Sequence, residues 1–199
     1  MIEPQSGEEY FPTLAAGGDL SGNALRLQPK NSRWTALLLA GALSGLIASV
    51  PMGLAMMGLN RLLPGRNRPS EHALPPKQIT RKAANQAGAE ELMRPGSRWE
   101  PTTWLAHLGY GAATASLYPL VARKLPLPAV ITGIFYALGV WAGSYLGWLP
   151  VTGILPPATE QSRRRNAVMI TSHVLWGALT GLLTKSMVSS ARDGYLLVE

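Results

Sequence analysis

His173-Val-Leu-Trp-Gly-Ala-Leu-Thr-Gly-Leu-Leu183 has a near copy upstream in the same chain, His107-Leu-Gly-Tyr-Gly-Ala-Ala-Thr-Ala-Ser-Leu117. The shared pattern is His, two residues, an aromatic, Gly-Ala, any residue, Thr, a small residue, any residue, Leu. On a helix, positions i, i+3, i+4 and i+7 share one face. The pattern therefore predicts two stripes. His107, Tyr110, Gly111 and Thr114 form one, and His173, Trp176, Gly177 and Thr180 form its twin. Both stripes sit in apolar segments without Asp, Glu, Lys or Arg.

Working outward, the charges of the 199-residue chain cluster in a few blocks. Charge-free runs span Trp34–Asn60, Pro101–Ala122, Leu125–Thr159 and Asn166–Thr184. A membrane-spanning helix needs about 20 mostly apolar residues, more than a soluble core helix usually has. The fold expected is all-α and integral to the membrane, with transmembrane helices over about 34–60, 102–122, 129–149 and 167–184. Residues 1–33 read as a polar, flexible N-terminal arm and 185–199 as a polar C-terminal tail. The arm lacks the basic start and early apolar stretch of a cleaved secretory signal, so the first span is expected to act as an uncleaved anchor.

The net charge of +7 fits Lys and Arg collected in the loops that flank spans. No zinc spacing, RNA-binding signature or helix-turn-helix pattern accompanies it, so the bilayer, and not nucleic acid, is the partner expected. With no cysteine in the chain, disulfides, thiolate metal sites and a cysteine nucleophile are excluded.

The first span carries Pro51, which kinks a helix unless neighbours satisfy the freed carbonyl. Its Gly41 and Gly45 provide a surface for close helix approach. Met52, Met56 and Met57 invite comparison with a copper-binding thioether cluster, but packing is the reading adopted, because Met fills irregular gaps. The loop that follows contains Leu74-Pro75-Pro76 and then a surface helix expected over Lys77–Met93. His72 beside Glu71 has no zinc-protease spacing. Arg123-Lys124-Leu-Pro-Leu-Pro is a tight connection, so the second and third spans form an antiparallel hairpin. On the third span, Gly139, Gly143 and Gly147 make a small-residue ridge, suited either to internal packing or to a membrane dimer. Each half of the chain then reads alike: a span, a Leu-Pro-Pro loop, basic residues and a histidine stripe. Two hairpins in series suggest a parallel internal repeat.

Leu149-Pro150-Val-Thr-Gly153-Ile-Leu-Pro156-Pro157, followed by His173-Val-Leu-Trp176, resembles the third and fourth helices of the YagU-like family of bacterial inner-membrane proteins. Leu74-Pro75-Pro76 and His107 follow that family's order of features, although the first loop here is longer and richer in Lys and Arg. The resemblance implies a multi-pass protein of the cell inner membrane. The family brings no established biochemistry.

Within the spans the readily ionisable groups are His107 and His173. Polar side chains at membrane depth usually face a bundle interior or a water-filled cavity. One reading has each imidazole bonded to a backbone carbonyl or a threonine across a helix interface. Another is a pH-responsive pair, because imidazole titrates near pH 6.5 and two adjacent charges would push the second and fourth helices apart. A third is a bis-histidine haem b between those helices, held by His107 and His173, with Gly111 and Gly177 making room for the porphyrin. The Ser and Thr residues lack an acid–base partner, and no glycine-rich phosphate loop precedes a Lys. The function expected is therefore non-enzymatic, exerted through helix packing or contact with a second copy or another membrane protein. A haem-binding electron carrier and a small-solute channel are the alternatives.

Overall fold

A computed structural model of the chain describes residues 30–62, 74–93 and 99–196. Every regular element among them is helical. Helix α1 is Lys30–Leu62, α2 Pro75–Gln86, α3 Trp99–Ala115 and α4 Tyr118–Ala122. Then come α5 Ala129–Ala142, α6 Leu149–Val151 and α7 Arg163–Leu196. A π-helical stretch, Gly143–Trp148, joins α5 to α6, and short 3-10 turns cover Glu90–Met93 and Ala158–Glu160.

Among the described residues, three helices are long and apolar enough to cross a membrane: Arg33–Leu62, Ala129–Val151 and Arg163–Ser190. Their outer faces suit lipid. Leu39, Leu43, Leu46, Ile47, Val50 and Leu54 are exposed on α1 alone, a band too large and apolar for an ordinary water-facing surface. These features mark a membrane protein.

The second expected span differs from the reading of 102–122 as one helix. It is divided into α3 and α4 by a turn at Ser116 and Leu117. Pro119 is the cause, since it has no N–H to offer the carbonyl of Ala115. The backbone tightens there, with Leu117 N–H donating to the Thr114 carbonyl (3.2 Å) and Leu120 N–H to the Leu117 carbonyl (3.1 Å).

Contacts at the helix ends fix the arrangement. Lys77 of α2 pairs with Glu100 at the start of α3. After α4, the Arg123 guanidinium lies 4.6 Å from the centre of the Trp34 ring, near the start of α1. At the other end of α1, the Asn60 carbonyl accepts a hydrogen bond from Arg164 of α7. Helix α1 packs against both α3 and α7, and α5 packs against α7.

Small residues set two of these crossings. A Cβ at Gly45 would collide with Ala115 and the Gly111 carbonyl, and one at Gly41 with the Ala115 carbonyl and the Pro119 ring. On the other side, Gly133 meets Gly177, and Gly181 meets the Ala129 carbonyl. The two crossings match: Gly41 meets Ala115 as Ala129 meets Gly181, and Gly45 meets Gly111 as Gly133 meets Gly177.

The ridge Gly139, Gly143 and Gly147 does not pack internally. A Cβ at any of the three would meet nothing within 4 Å. Gly139 and Gly143 lie exposed on the outward face of α5, and the π-helical stretch Gly143–Trp148 follows, with Gly147 at φ −110° and ψ −106°. A π turn advances the chain by more residues than an α turn and rotates Gly147 off the line of the other two.

Boundaries shift for local reasons. Helix α1 begins at Lys30, inside the expected N-terminal arm, while residues 1–29 and His72 lie outside the described residues. Helix α7 continues to Leu196, so most of the expected tail 185–199 is helical. The surface helix stops at Gln86 instead of Met93. Gly88 takes φ 66°, and Ala89 N–H reaches back to the Ala84 carbonyl at 2.8 Å, a glycine-terminated cap. Gly153, at φ 68°, closes α6 the same way, with Ile154 N–H on the Leu149 carbonyl at 3.0 Å.

Candidate functional site

The two histidine stripes converge. A cavity of about 190 Å³ lies among α1, α3, α5 and α7 and is lined by His107, Tyr110, Gly111 and Thr114 of the first stripe and by His173 and Trp176 of the second. Gly177 and Thr180, the remaining members, lie elsewhere: Gly177 is spent on the crossing with Gly133, and Thr180 is fully buried outside the cavity lining.

Each imidazole has one ring nitrogen committed. His107 Nε2 donates to the Ser49 carbonyl at 3.2 Å, across the α1–α3 interface. His173 Nδ1 donates to the Met169 carbonyl at 2.7 Å, within its own helix. A carbonyl only accepts, so these bonds assign the N–H to Nε2 of His107 and to Nδ1 of His173 in the neutral rings. The other nitrogen of each ring keeps its lone pair. One imidazole thus makes the expected cross-helix bond, and the other braces its own helix.

Ser49 joins the two halves. The Trp176 indole N–H lies 3.1 Å from both Ser49 Oγ and the Gly45 carbonyl, while the carbonyl of the same Ser49 holds His107. Ser49 Oγ in turn donates to Gly45 at 2.7 Å. This residue escaped the sequence reading, because one serine in an apolar run carries no periodic signal. Gly53 escaped it as well. Its missing side chain admits the Trp104 ring, which packs edge-on to His107 with centres 6.0 Å apart.

The π stretch and the start of α6 build the opposite wall. Ser144, Tyr145, Trp148 and Leu149 all line the cavity. Tyr110 and Ser144 share a hydrogen bond of 2.7 Å that bridges α3 to this wall, and the Tyr110 ring packs beside Trp148. The signal for this irregularity was present in Gly143, Gly147 and Pro150, two flexible residues and one without an N–H, all close together.

Helix α2 covers one end of the cavity with Pro76, Ile79 and Thr80. Its polar side is pinned to the α6–α7 connection. Lys82 Nζ donates to the Gly153 carbonyl (3.2 Å), Gln86 to the Thr152 carbonyl (3.3 Å), and the Arg165 guanidinium to Gln78 Oε1 (3.1 Å). The two Leu-Pro-Pro segments therefore lie at one end of the molecule, where α2 starts and α6 gives way to α7.

Among the described residues, the cavity lining contains no Asp, Glu, Lys or Arg. Among the described residues, no group of three or more His, Cys, Asp or Glu is placed to hold a metal. Gly111 abuts Ser49 and Gly45, and Gly177 abuts Gly133 and Ala137.

The sequence that builds this site matches a family model. The profile of a family described as a protein of unknown function (DUF1440) matches residues 50–181, which include both stripes, the π stretch and α2. No curated protein and no solved structure matches the chain.

Proposed function

The chain belongs to the DUF1440 family, and from that premise we propose that it is a four-pass inner-membrane protein, built as two repeated hairpins around a proton-responsive cavity. The residues that carry the YagU-like resemblance all fall inside the matched region. The fourth pass is α3 with α4. Its start pairs with α2 through Lys77 and Glu100, and its end brings Arg123 to Trp34, so it covers the same depth as α1. The matched crossings at Gly45–Gly111 and Gly133–Gly177 support the repeat. The basic residues of the α2 end, Arg163 to Arg165 included, support a cytoplasmic location for that end.

The observation that carries the functional reading is the convergence of His107 and His173, one from each half, on one charge-free cavity. Charge placed on both rings there would have no counter-ion in the lining, and like charges repel. The protein then acts without covalent chemistry, through a change in helix packing that a neighbouring membrane protein or a second copy reads. The outward face of α5, with Gly139 and Gly143 exposed, is the surface on which such a neighbour would sit. The test is melting temperature in detergent from pH about 7.5 to 5, spanning the imidazole range. The wild type should lose stability on acidification, and His107→Gln with His173→Gln should flatten the curve. Parallel curves would overturn the proton-responsive reading, and a visible haem band in the purified protein would replace it with the electron-carrier reading.

A further inference from the structure

Two contacts fix the register of the antiparallel pair α1 and α7. Near one end Arg164 reaches the Asn60 carbonyl, and deeper in the bundle Trp176 reaches Ser49. Between them, that register sets Met56 level with Met169 and Met52 level with His173. Each pair on a single helix is one turn apart, so all four side chains share the α1–α7 seam. All four line the cavity, and all are buried, with Met56 at 2% and Met169 at 1% exposure. His107 sits at the same depth, since its Nε2 bonds Ser49 and lies 3.6 Å from where a Gly53 Cβ would be.

The donors are of one chemical kind. Three of the chain's seven methionines gather there, and thioether sulfur is a soft, uncharged ligand. His173 keeps a lone pair on Nε2, because its Nδ1 hydrogen is given to the Met169 carbonyl. An outer hydrogen bond of this kind orients metal-binding imidazoles. Tyr145 hydroxyl donates to Met169 Sδ at 3.3 Å, which holds that thioether in place and leaves its second lone pair unused. Hard divalent ions require carboxylate or water-rich oxygen shells, and the lining has no carboxylate. Thioether with imidazole instead suits copper(I). A single positive charge is also the least costly to place in a charge-free, low-dielectric chamber.

We propose that the cavity is a soft-metal site, binding copper(I) through the thioethers of Met52, Met56 and Met169 and through His173 Nε2. Met57, the third member of the cluster apparent in the sequence, is absent from the lining, and Met169 from the other half takes its place. The site rests on the cavity reading above and adds a ligand class to it.

The test uses purified protein in detergent, loaded with copper(I) under ascorbate, or with silver(I) as a redox-inert stand-in, and then desalted. The expected result is one ion retained per chain, with no retention of zinc or magnesium. Because the chain has no cysteine, sulfur in the first shell by copper X-ray absorption must come from methionine. The triple variant Met52→Leu, Met56→Leu, Met169→Leu conserves apolar volume and should stay folded while retaining no ion. If the triple variant does not fold, Met56→Leu and Met169→Leu singly should each reduce the sulfur in the first shell. Absence of retention by the wild type, a shell of nitrogen and oxygen alone, or equal retention by the triple variant would overturn the proposal. The triple variant keeps both histidines, so a pH-dependent melt in protein that binds no copper would leave the histidine reading standing. A flat melt in protein that binds copper would have the reverse meaning.

Discussion

Trp176 on α7 lies with its indole nitrogen 3.1 Å from the hydroxyl of Ser49 on α1, and through Ser49 the second histidine stripe is tied to the first. The same nitrogen is 3.1 Å from the Gly45 carbonyl, so the indole N–H has two acceptors on one turn of α1. Hydrogen bonds between membrane helices contribute only about 0.6–2 kcal/mol each, and here the bulk of the ring adds to the bond.

These contributions separate by mutation. Ser49→Ala leaves the Gly45 carbonyl as acceptor and should cost no more than about 1 kcal/mol. Trp176→Phe loses the donor but keeps most of the packing, and should cost more than Ser49→Ala. Trp176→Ala removes a side chain only 2% exposed and should cost about 3–5 kcal/mol. Unfolding of the three variants in mixed detergent would give the order. Equal losses would mean that the α1–α7 seam is held elsewhere.

The crossings make a second prediction, on glycines that the sequence alone ranks alike. Gly177→Leu and Gly45→Leu should prevent the bundle from forming, because each new side chain would meet backbone of the facing helix. Gly143→Leu should leave the monomer's melting temperature unchanged, since nothing lies within 4 Å of its Cβ position. If Gly143→Leu instead changes oligomer size at unchanged monomer stability, the outward face of α5 is a contact surface. Comparable loss for Gly143→Leu and Gly177→Leu would contradict the packing described.

Much of this organisation is legible in the sequence, and the rest depends on register. Charge-free runs marked the three helices long enough to cross a membrane because burying Lys or Glu in lipid is costly, and the His-x2-aromatic pattern marked the cavity wall because a helix repeats every 3.6 residues. Gly133 and Gly181 were not distinguishable from Gly139 and Gly143. All four are glycines in apolar helices, and only the partner helix decides which pair meets. The break at Pro119 was visible in the residue itself but was subsumed in a run that otherwise read as one helix. Tail residues after Thr184 looked terminal by polarity, yet no proline interrupts them and α7 simply continues.

Cap glycines give a third prediction. Gly153 ends α6 in the left-handed region, and its own carbonyl is the one that Lys82 of α2 grips. Gly153→Ala should cost about 1–2 kcal/mol, the usual penalty for a Cβ in that conformation. Gly58, four residues before the end of α1 and with open space beside it, should accept Ala without loss or with a gain of up to about 1 kcal/mol. Thermal melts of the two variants check this. A neutral Gly153→Ala would show that the cap does not hold α2 over the cavity.

The most direct measurement of the account is side-specific labelling of single cysteines in the naturally cysteine-free chain. Four sites suffice: Asn85 on α2, Lys124 after α4, Ser162 before α7, and Ser190 at the end of the α7 span. Four crossings place Asn85 and Ser162 on one side of the membrane and Lys124 and Ser190 on the other. In intact cells, an impermeant thiol reagent should therefore react with one pair and spare the other, which reacts only once the membrane is opened. Lys124 labelling together with Asn85 and Ser162 would mean that α3 and α4 turn back within the membrane, and the two-hairpin account would fall.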